Sequence, residues 1–211
     1  RVIAPEHLAE IFLQLQEQGA NNINLVTPTH FLPQIVIALE QAKQQGLHLP
    51  IVYNTGSYES PEALRHLEGL VDIYLPDLKY FSPELSTAYS HAPDYFETAC
   101  AAISEMYRQV GDSVIDEDTG LMQHGMIVRH LLLPGQTKDS KKILRYLHET
   151  YGDHIYISIM NQYTPLPQVA DIEVLNRTVT PEEYDRVLRF AERIGIERGF
   201  RQEGTAASES F

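Results

Sequence analysis

The chain has 211 residues, a net charge of −13 and a single cysteine, Cys100. Its length allows one domain with a sizeable core. Its acidity argues against nucleic-acid binding, because no basic stripe is available to neutralise phosphates. No apolar run approaches the roughly 20 residues of a membrane span, and no signal peptide is evident. One cysteine excludes a disulfide framework, so we expect a protein of the reducing cytoplasm.

Apolar residues at helical spacing alternate with short apolar runs along the chain. Those between Leu8 and Leu15 mark one face of a first helix, which Gly19 ends. Later elements follow the same signals. In chain order they are a strand at Asn22–Val26, a helix across Ile35–Ala42, a strand at Ile51–Tyr53, a short helix from Ser60, a strand at Val71–Leu75, a helix at Tyr95–Val110, a loop at Gly111–Gly125, a strand at Met126–Leu133, a helix at Lys141–Tyr151, a strand at Ile155–Met160, an irregular stretch at Thr164–Val174 and a helix from Pro181 to about Ile194.

This alternation of strands and helices predicts the α/β class. Parallel strands joined by right-handed crossovers leave an open or closed parallel barrel or a doubly wound sheet. Small and polar residues predominate after residue 198, so we expect a domain over residues 1–198 and a flexible tail at 199–211. At the start of the last helix, Thr180 and Glu183 fit a capping box.

Five of the apolar runs end in a polar cluster, and these clusters carry the functional signal. Parallel strands buried on both faces need polar residues only near their carboxyl ends, where βα loops form enzyme sites. The clusters are Thr27-Pro28-Thr29-His30, Asn54-Thr55-Gly56, Asp77-Leu78-Lys79, Arg129-His130 and Asn161-Gln162-Tyr163. Together they predict a single site at one rim of the sheet.

Asp77 and Lys79 form the sharpest of these clusters. The period of two along an extended chain places both side chains on the same side. A carboxylate and an ammonium there can bracket the hydroxyls and base of a polar ligand, or can form an ion pair that closes the barrel mouth. A Schiff-base lysine is a third possibility, although the carboxylate of Asp77 opposes the neutral amine that it needs.

Arg129 lies in an otherwise apolar strand, so its charge requires a partner. A ligand carboxylate or ribose and a structural acid are both candidates. His130, on the opposite face, is interpreted as a structural histidine between the sheet and a helix. Thr27, Thr29, Asn54, Thr55 and Tyr163 can hydrogen-bond a ligand. The histidines show no metal-binding spacing, so none is assigned to a metal.

In their order along the chain, these segments resemble the radical S-adenosylmethionine enzymes of the pyruvate formate-lyase activating type. The likeness extends to about Gly195. The segments that carry it are Asn21–His30, Val52–Asn54, Asp72–Tyr80, Glu105–Gly111 and Arg129–Gly135. The resemblance implies a partial parallel (β/α)6-type TIM-like barrel, with residues 1–198 supplying its five C-terminal βα units.

The resemblance also implies an S-adenosylmethionine site across the strand ends. Asp77 and Lys79 match an element that contacts the nucleoside, and Asn54 and Thr55 stand where relatives carry a similar polar pair. Arg129 matches an arginine near the methionine carboxylate, and Tyr163 falls near a ribose contact. Thr27 and Thr29 occupy the place of a Gly-Gly-Glu element that relatives use for the amino group. No residue is assigned a catalytic role.

Enzymes of this kind cleave the cofactor reductively to a 5′-deoxyadenosyl radical, using a 4Fe-4S cluster held by three cysteines in C-x-x-x-C-x-x-C. This chain carries Cys100 alone, so we expect the first barrel strand and the cluster loop to lie upstream of Arg1, and the chain alone to be inactive. The implied partners are a glycyl radical enzyme and a flavodoxin-type reductant. The alternatives are a ligand- or partner-binding barrel without a cluster, and a lyase or aldolase that uses Lys79.

Overall fold

The structure is a computed structural model that describes residues 3–202. The strands are β1 (Ile23–Val26), β2 (Ile51–Thr55), β3 (Ile73–Pro76), β4 (Val114–Ile115), β5 (Met122–Leu131), β6 (Tyr156–Met160) and β7 (Gly199–Gln202). The helices are α1 (Pro5–Glu17), α2 (Leu32–Gln44), α3 (Pro61–Leu64), α4 (Pro83–Ser90), α5 (Tyr95–Val110), α6 (Thr137–Tyr151) and α7 (Pro181–Arg193). Every helix within this range is too short or too polar to span a bilayer.

The strands form an open, mostly parallel sheet in the order β1-β2-β3-β5-β6-β7, and β4 pairs with β5 in antiparallel fashion. Helices connect the parallel strands, as right-handed crossovers require. The predicted α/β class is therefore confirmed, and the parallel sheet is consistent with a partial TIM-like barrel. The described residues fall into two compact units. The proposed limits of the domain at residues 1–198 stay a prediction.

The first unit comprises the described residues up to Pro76 together with Thr98–Met126. Strands β1, β2 and β3 of this unit are in parallel register, with Ile23 opposite Ile51 and Val52 opposite Ile73. Helices α1 and α2 pack against each other through their apolar stripes. The largest fully buried side chains of this unit are Leu39, Ile51, Tyr53, Leu64, Leu67, Tyr74, Ile103, Met106 and Met126. Burying an aliphatic or aromatic side chain stabilises the fold by roughly 1.5–3 kcal/mol.

The second unit comprises Asp77–Glu97 together with the described residues from Ile127 onward. Its part of β5 pairs with β6, placing Arg129 opposite Ser158, and β6 pairs with β7. Helices α6 and α7 pack together. The core of this unit includes the fully buried side chains of Leu78, Leu132, Ile143, Leu144, Leu147 and Val187.

The capping box predicted at the start of α7 is confirmed. The Thr180 hydroxyl accepts from the Glu183 backbone N–H, and the Glu183 carboxylate accepts from the Thr180 backbone N–H. The same carboxylate accepts from Arg177 through two bonds of 2.8 Å and from the Gly135 N–H at 2.8 Å. The Arg177 guanidinium, together with these backbone donors, lowers the pKa of Glu183 to about 2. Glu183 therefore ties α7 to two other segments of its unit.

The prediction of a loop across Gly111–Gly125 is wrong in part. β4 forms inside this stretch and pairs with the start of β5, which begins at Met122 rather than Met126. The polar Gln123 and His124 lie in the added part of the strand. They interrupt the apolar run, so the sequence pattern does not indicate a strand there. Gly125 has a φ of 124°, and a Cβ there would lie 2.5 Å from Ser113 Cα. Only glycine permits that approach of the two chains.

Residues 199–202 of the predicted tail form a strand, and the limits of the tail stay a prediction. β7 (Gly199–Gln202) pairs in parallel with β6. Phe200 stacks on Tyr156, with ring centroids 5.3 Å apart. Backbone pairing with a neighbouring strand requires no apolar run, which is why the composition gave no signal. The rest of the predicted tail, residues 203–211, lies outside the described residues.

Candidate cofactor-binding site

Asp77, Lys79 and Arg129 come together in the second unit. Asp77 follows directly after β3 and forms an isolated parallel bridge with Arg129 of β5. The Leu78 N–H donates to the Arg129 carbonyl at 2.9 Å. The two strand ends therefore continue their parallel pairing by one further step, which brings residues that are 52 positions apart into contact.

The Asp77 carboxylate lies between two cations. Arg129 donates from Nε and Nη2 to Oδ1, at 2.8 and 2.6 Å, and Lys79 Nζ lies 3.6 Å from Oδ2. The relative exposure of the side chains rises from 17% for Asp77 to 26% for Arg129 and 42% for Lys79. Arg129 was expected to pair either with a ligand carboxylate or ribose or with a structural acid. The structure contains the structural acid, which is Asp77. The ion pair expected for Asp77 and Lys79 is also present, so the group carries two positive charges and one negative charge.

The backbone of this segment is held by two buried side chains. The Tyr95 hydroxyl donates to the Asp77 carbonyl and accepts from the Lys79 N–H, both at 3.1 Å. The His130 Nδ1 donates to the Leu78 carbonyl at 2.8 Å. Because these bonds fix the backbone on either side of Leu78, they also fix the directions in which Asp77 and Lys79 project. Nothing in the sequence marks Tyr95 as part of the site, since a tyrosine in a predicted helix gives no sign of a contact with a strand end.

His130 is a structural residue, as predicted. It is 1% exposed, and burial lowers the pKa of its imidazole. A carbonyl oxygen can only accept a hydrogen bond, so the proton of the neutral ring lies on Nδ1. Nε2 is buried and has no hydrogen-bond partner among the described residues.

Tyr163 uses its hydroxyl within its own loop. It donates to the Leu175 carbonyl at 2.9 Å, so the donor predicted for a ribose is engaged. Burial, and then the nearby Tyr80 and Tyr89, raise the pKa of the Tyr163 phenol. Tyr163 thus lies close to Tyr80, which follows Lys79 in the chain. The structure places the Tyr163 hydroxyl against the Leu175 carbonyl and not against Asp77, Lys79 or Arg129.

The other predicted residues, Thr27, Thr29, Asn54 and Thr55, belong to the first unit. The Thr27 N–H donates to the Asn54 carbonyl at 2.8 Å, with Thr27 exposed and at a φ of 50°. Thr29 begins a short 3-10 turn and is half-buried, as is Asn54. The ends of β1 and β2 therefore meet, as the parallel register requires.

Thr55 is buried and bonded to a residue that the sequence analysis missed, Glu59. The Thr55 hydroxyl and the Tyr53 hydroxyl both donate to the Glu59 carboxylate, the latter at 2.8 Å. Glu59 is 5% exposed. Burial, and then the charge of Glu59, raise the pKa of the Tyr53 phenol. The hydroxyl donor of Thr55 is therefore used inside the unit. The short spacing of four residues between Thr55 and Glu59 was the signal in the sequence that these two side chains could meet.

Lysine chemistry and metal binding find no support here. A Schiff-base lysine reacts through its amine, whereas Lys79 Nζ lies in an ion pair 3.6 Å from the Asp77 carboxylate. Across residues 3–202, no group of three or more His, Cys, Asp or Glu side chains could hold a metal ion. Cys100 lies partly buried on α5.

Comparisons with solved structures assign the fold. The fold of the chain is similar to the folds of three solved structures. It aligns with a domain of the pyruvate-formate lyase-activating enzyme from Bacteroides vulgatus at a TM-score of 0.61 and 15% identity, covering 87% of this chain and 99% of that domain. It aligns with a radical SAM methyltransferase from Sphaerobacter thermophilus at 0.58 and 14%, covering 96% and 58%. It also aligns with Elp3 from Methanocaldococcus infernus at 0.52 and 14%, covering 96% and 53%.

Sequence comparison is less informative. No protein-family model matches the chain. It is 25% identical over 196 residues to an uncharacterized protein of Methanocaldococcus jannaschii, a match that covers 92% of this chain and 52% of the relative. The chain thus spans about half the length of the curated relative that it matches.

Proposed function

We propose that this chain is the S-adenosylmethionine-binding part of a radical S-adenosylmethionine enzyme. The observation that carries the proposal is the group of Asp77, Lys79 and Arg129 at adjacent parallel strand ends. Ligands of α/β sheets bind outside the carboxyl ends of the strands. The radical S-adenosylmethionine-like fold supports the same assignment. Activation of a glycyl radical enzyme, with a flavodoxin-type reductant, is the finer proposal and rests on the resemblance of the sequence segments.

The charged group fits the chemistry of S-adenosylmethionine. The Lys79 ammonium is the most exposed of the three charges and can donate to ribose hydroxyls or to a carboxylate. The Asp77 carboxylate accepts only, so it suits the hydroxyl donors of a ribose. Arg129 adds positive charge that favours the methionine carboxylate. When bound in enzymes of this class, the cofactor supplies a carbon-centred radical. The residues named here bind and orient it.

A 4Fe-4S cluster does not fit the described residues. Such clusters are held by several cysteine thiolates. The described part of the chain contains one cysteine, Cys100, and lacks any group of three candidate ligands. We therefore assign no reaction step through a cluster, and the proposal concerns binding of the cofactor by this chain.

The test is a calorimetric titration of the intact chain with S-adenosylmethionine and with 5′-methylthioadenosine, which lacks the amino-acid part. If Lys79 contacts the nucleoside, Lys79→Gln weakens both ligands by about tenfold, the loss of a charge-assisted hydrogen bond. Lys138→Gln removes an equal charge from an exposed helical position and serves as the matched control. Absence of S-adenosylmethionine binding by the wild-type chain, or equal losses in both variants, would contradict the proposal.

A second expected result concerns Tyr95, the buried tyrosine that holds the segment. Tyr95→Phe keeps the ring, which packs edge-on against Tyr80 at 5.4 Å, and removes the hydroxyl that bonds Asp77 and Lys79. We expect S-adenosylmethionine affinity to fall about fivefold to tenfold, since each lost hydrogen bond contributes roughly 1 kcal/mol. Calorimetry measures the loss. Tyr156→Phe, elsewhere in the same unit, is the control. An unchanged affinity in Tyr95→Phe, with unfolding as in wild type, shows that Tyr95 does not position the site.

A further inference from the structure

Positive charge is concentrated on two neighbouring helices of an otherwise acidic chain. The net charge is −13, yet α6 carries Lys138, Lys141, Lys142 and Arg145, and α7 carries Arg186, Arg189 and Arg193. These helices pack against each other within the second unit. Two of their acidic residues, Asp139 and Glu183, are buried and bonded to other segments. The exposed acids of the same helices, Glu149, Glu182, Asp185 and Glu192, are fewer than the seven cations, so the exposed side of the pair carries a net positive charge.

Three of these cations converge on one aromatic ring. Lys141 Nζ lies 5.7 Å from the centroid of Phe190, Arg145 Cζ lies 5.4 Å away and Arg193 Cζ lies 5.3 Å away. The ring itself is 4% exposed. All three charges are thus held within 5.7 Å of one point. We call Lys141, Arg145 and Arg193 the basic cluster.

The basic cluster is not neutralised within the described residues. No carboxylate of that part of the chain forms an ion pair with any of its three members. Because each charge lies within 5.7 Å of the same ring centroid, no two are more than about 11 Å apart. That limit is close to the Debye length of roughly 8–10 Å, so the charges repel one another in physiological salt. The attraction of each cation to the face of Phe190 offsets this repulsion only in part. An added anion lowers the electrostatic energy of the cluster.

We propose that the basic cluster on α6 and α7 is a docking surface for an acidic protein partner. The three groups sit on two adjacent helices and are presented outward by exposed or half-exposed side chains, an arrangement that suits a surface rather than an enclosed ligand. The net charge of the whole chain, −13, repels an acidic partner at long range, so attraction must come from a local positive patch. A local positive patch on such a background steers the partner and sets its orientation. The proposal is independent of cofactor binding at Asp77 and Lys79.

The experiment measures binding of fluorescently labelled poly-L-glutamate to the intact chain by anisotropy, at low and at physiological ionic strength. We expect salt-sensitive binding by the wild type. Replacing all three members of the cluster with glutamine should weaken it by about tenfold or more, the loss of several charge contacts at one surface. A variant with Lys141→Arg, Arg145→Lys and Arg193→Lys preserves the charges and should retain binding within about threefold. This variant also reveals whether loss of packing on Phe190 explains the first result.

A charge-matched control removes Lys43, Arg65 and Arg198, which belong to other segments, and should leave binding nearly unchanged. Absence of poly-L-glutamate binding at low ionic strength overturns the proposal. Equal weakening in the control and cluster variants overturns it as well, because net charge alone would then explain the effect. If inorganic phosphate at equal charge concentration fully displaces poly-L-glutamate, the cluster binds small anions and the proposal of a protein partner is overturned. Tighter cluster-dependent binding of RNA or of phosphatidylserine vesicles assigns it to another class of partner.

Discussion

Replacing Asp77 with alanine is expected to cause the largest loss of ligand binding of any single change in this chain. The substitution removes the acceptor that lies between Arg129 and Lys79, at 2.6–2.8 Å and 3.6 Å. Arg129 then keeps its charge in a partly buried position with its principal partner gone. We expect S-adenosylmethionine affinity to fall by about 100-fold and the free energy of unfolding to fall by about 1–3 kcal/mol.

Calorimetry and urea unfolding measure the two losses separately. Asp153→Ala changes an exposed aspartate of the same unit and should affect neither. Asp77→Ala combined with Arg129→Gln completes a double-mutant cycle, in which contacting charges should show non-additive effects. Additive effects would indicate that the ion pair between Asp77 and Arg129 contributes nothing. Wild-type affinity in Asp77→Ala would remove Asp77 from the proposed site while leaving the fold assignment intact.

Glu183→Ala is expected to cause the largest loss of stability. One carboxylate accepts from Arg177, Gly135 and the Thr180 N–H, and it is 5% exposed. Removing it leaves two backbone donors without an acceptor, and the Arg177 guanidinium keeps only its bond to the Thr178 carbonyl. The expected loss is about 2–4 kcal/mol of unfolding free energy, as for other buried charge-assisted networks. Urea unfolding measures it, and Asp185→Ala, an exposed aspartate on the same helix, is the control.

The same carboxylate predicts a pH dependence with a defined sign. The pKa of Glu183 is about 2 in the folded chain, against an ordinary value of 4.5. The folded state therefore binds the proton less readily than the unfolded state, so the stabilisation is complete above pH 4.5 and is lost as the pH falls towards 2. Glu105, whose pKa Arg108 also lowers to about 2, acts in the same direction. Glu183→Gln should flatten the decline between pH 4.5 and 2, and an unchanged profile would show that Glu183 contributes nothing to it.

Local signals in the sequence predicted the elements that depend on local interactions. The capping box at Thr180 and Glu183 spans three residues, so its residue types alone indicate it. The helix at Tyr95–Val110 was predicted with the bounds that the structure has. Elements held by long-range backbone pairing were missed, namely β4 and β7. β4 has two residues and is too short to mark a strand by its pattern, and β7 is too polar. Both are held by hydrogen bonds from a neighbouring strand.

The candidate site was likewise predicted only where local sequence signals were sufficient. The alternation of side chains along an extended strand determined that Asp77 and Lys79 would share one side, and the polar strand ends determined which residue types are available for binding. Only the tertiary structure decided that Arg129 would bond Asp77, that Tyr95 would hold both backbone neighbours of Leu78, and that Tyr163 would turn its hydroxyl to Leu175. The physical reason is the separation along the chain over which each kind of interaction acts. Periodicity and capping act over a few residues, whereas these partners lie from 12 to 52 positions apart and meet only through chain packing.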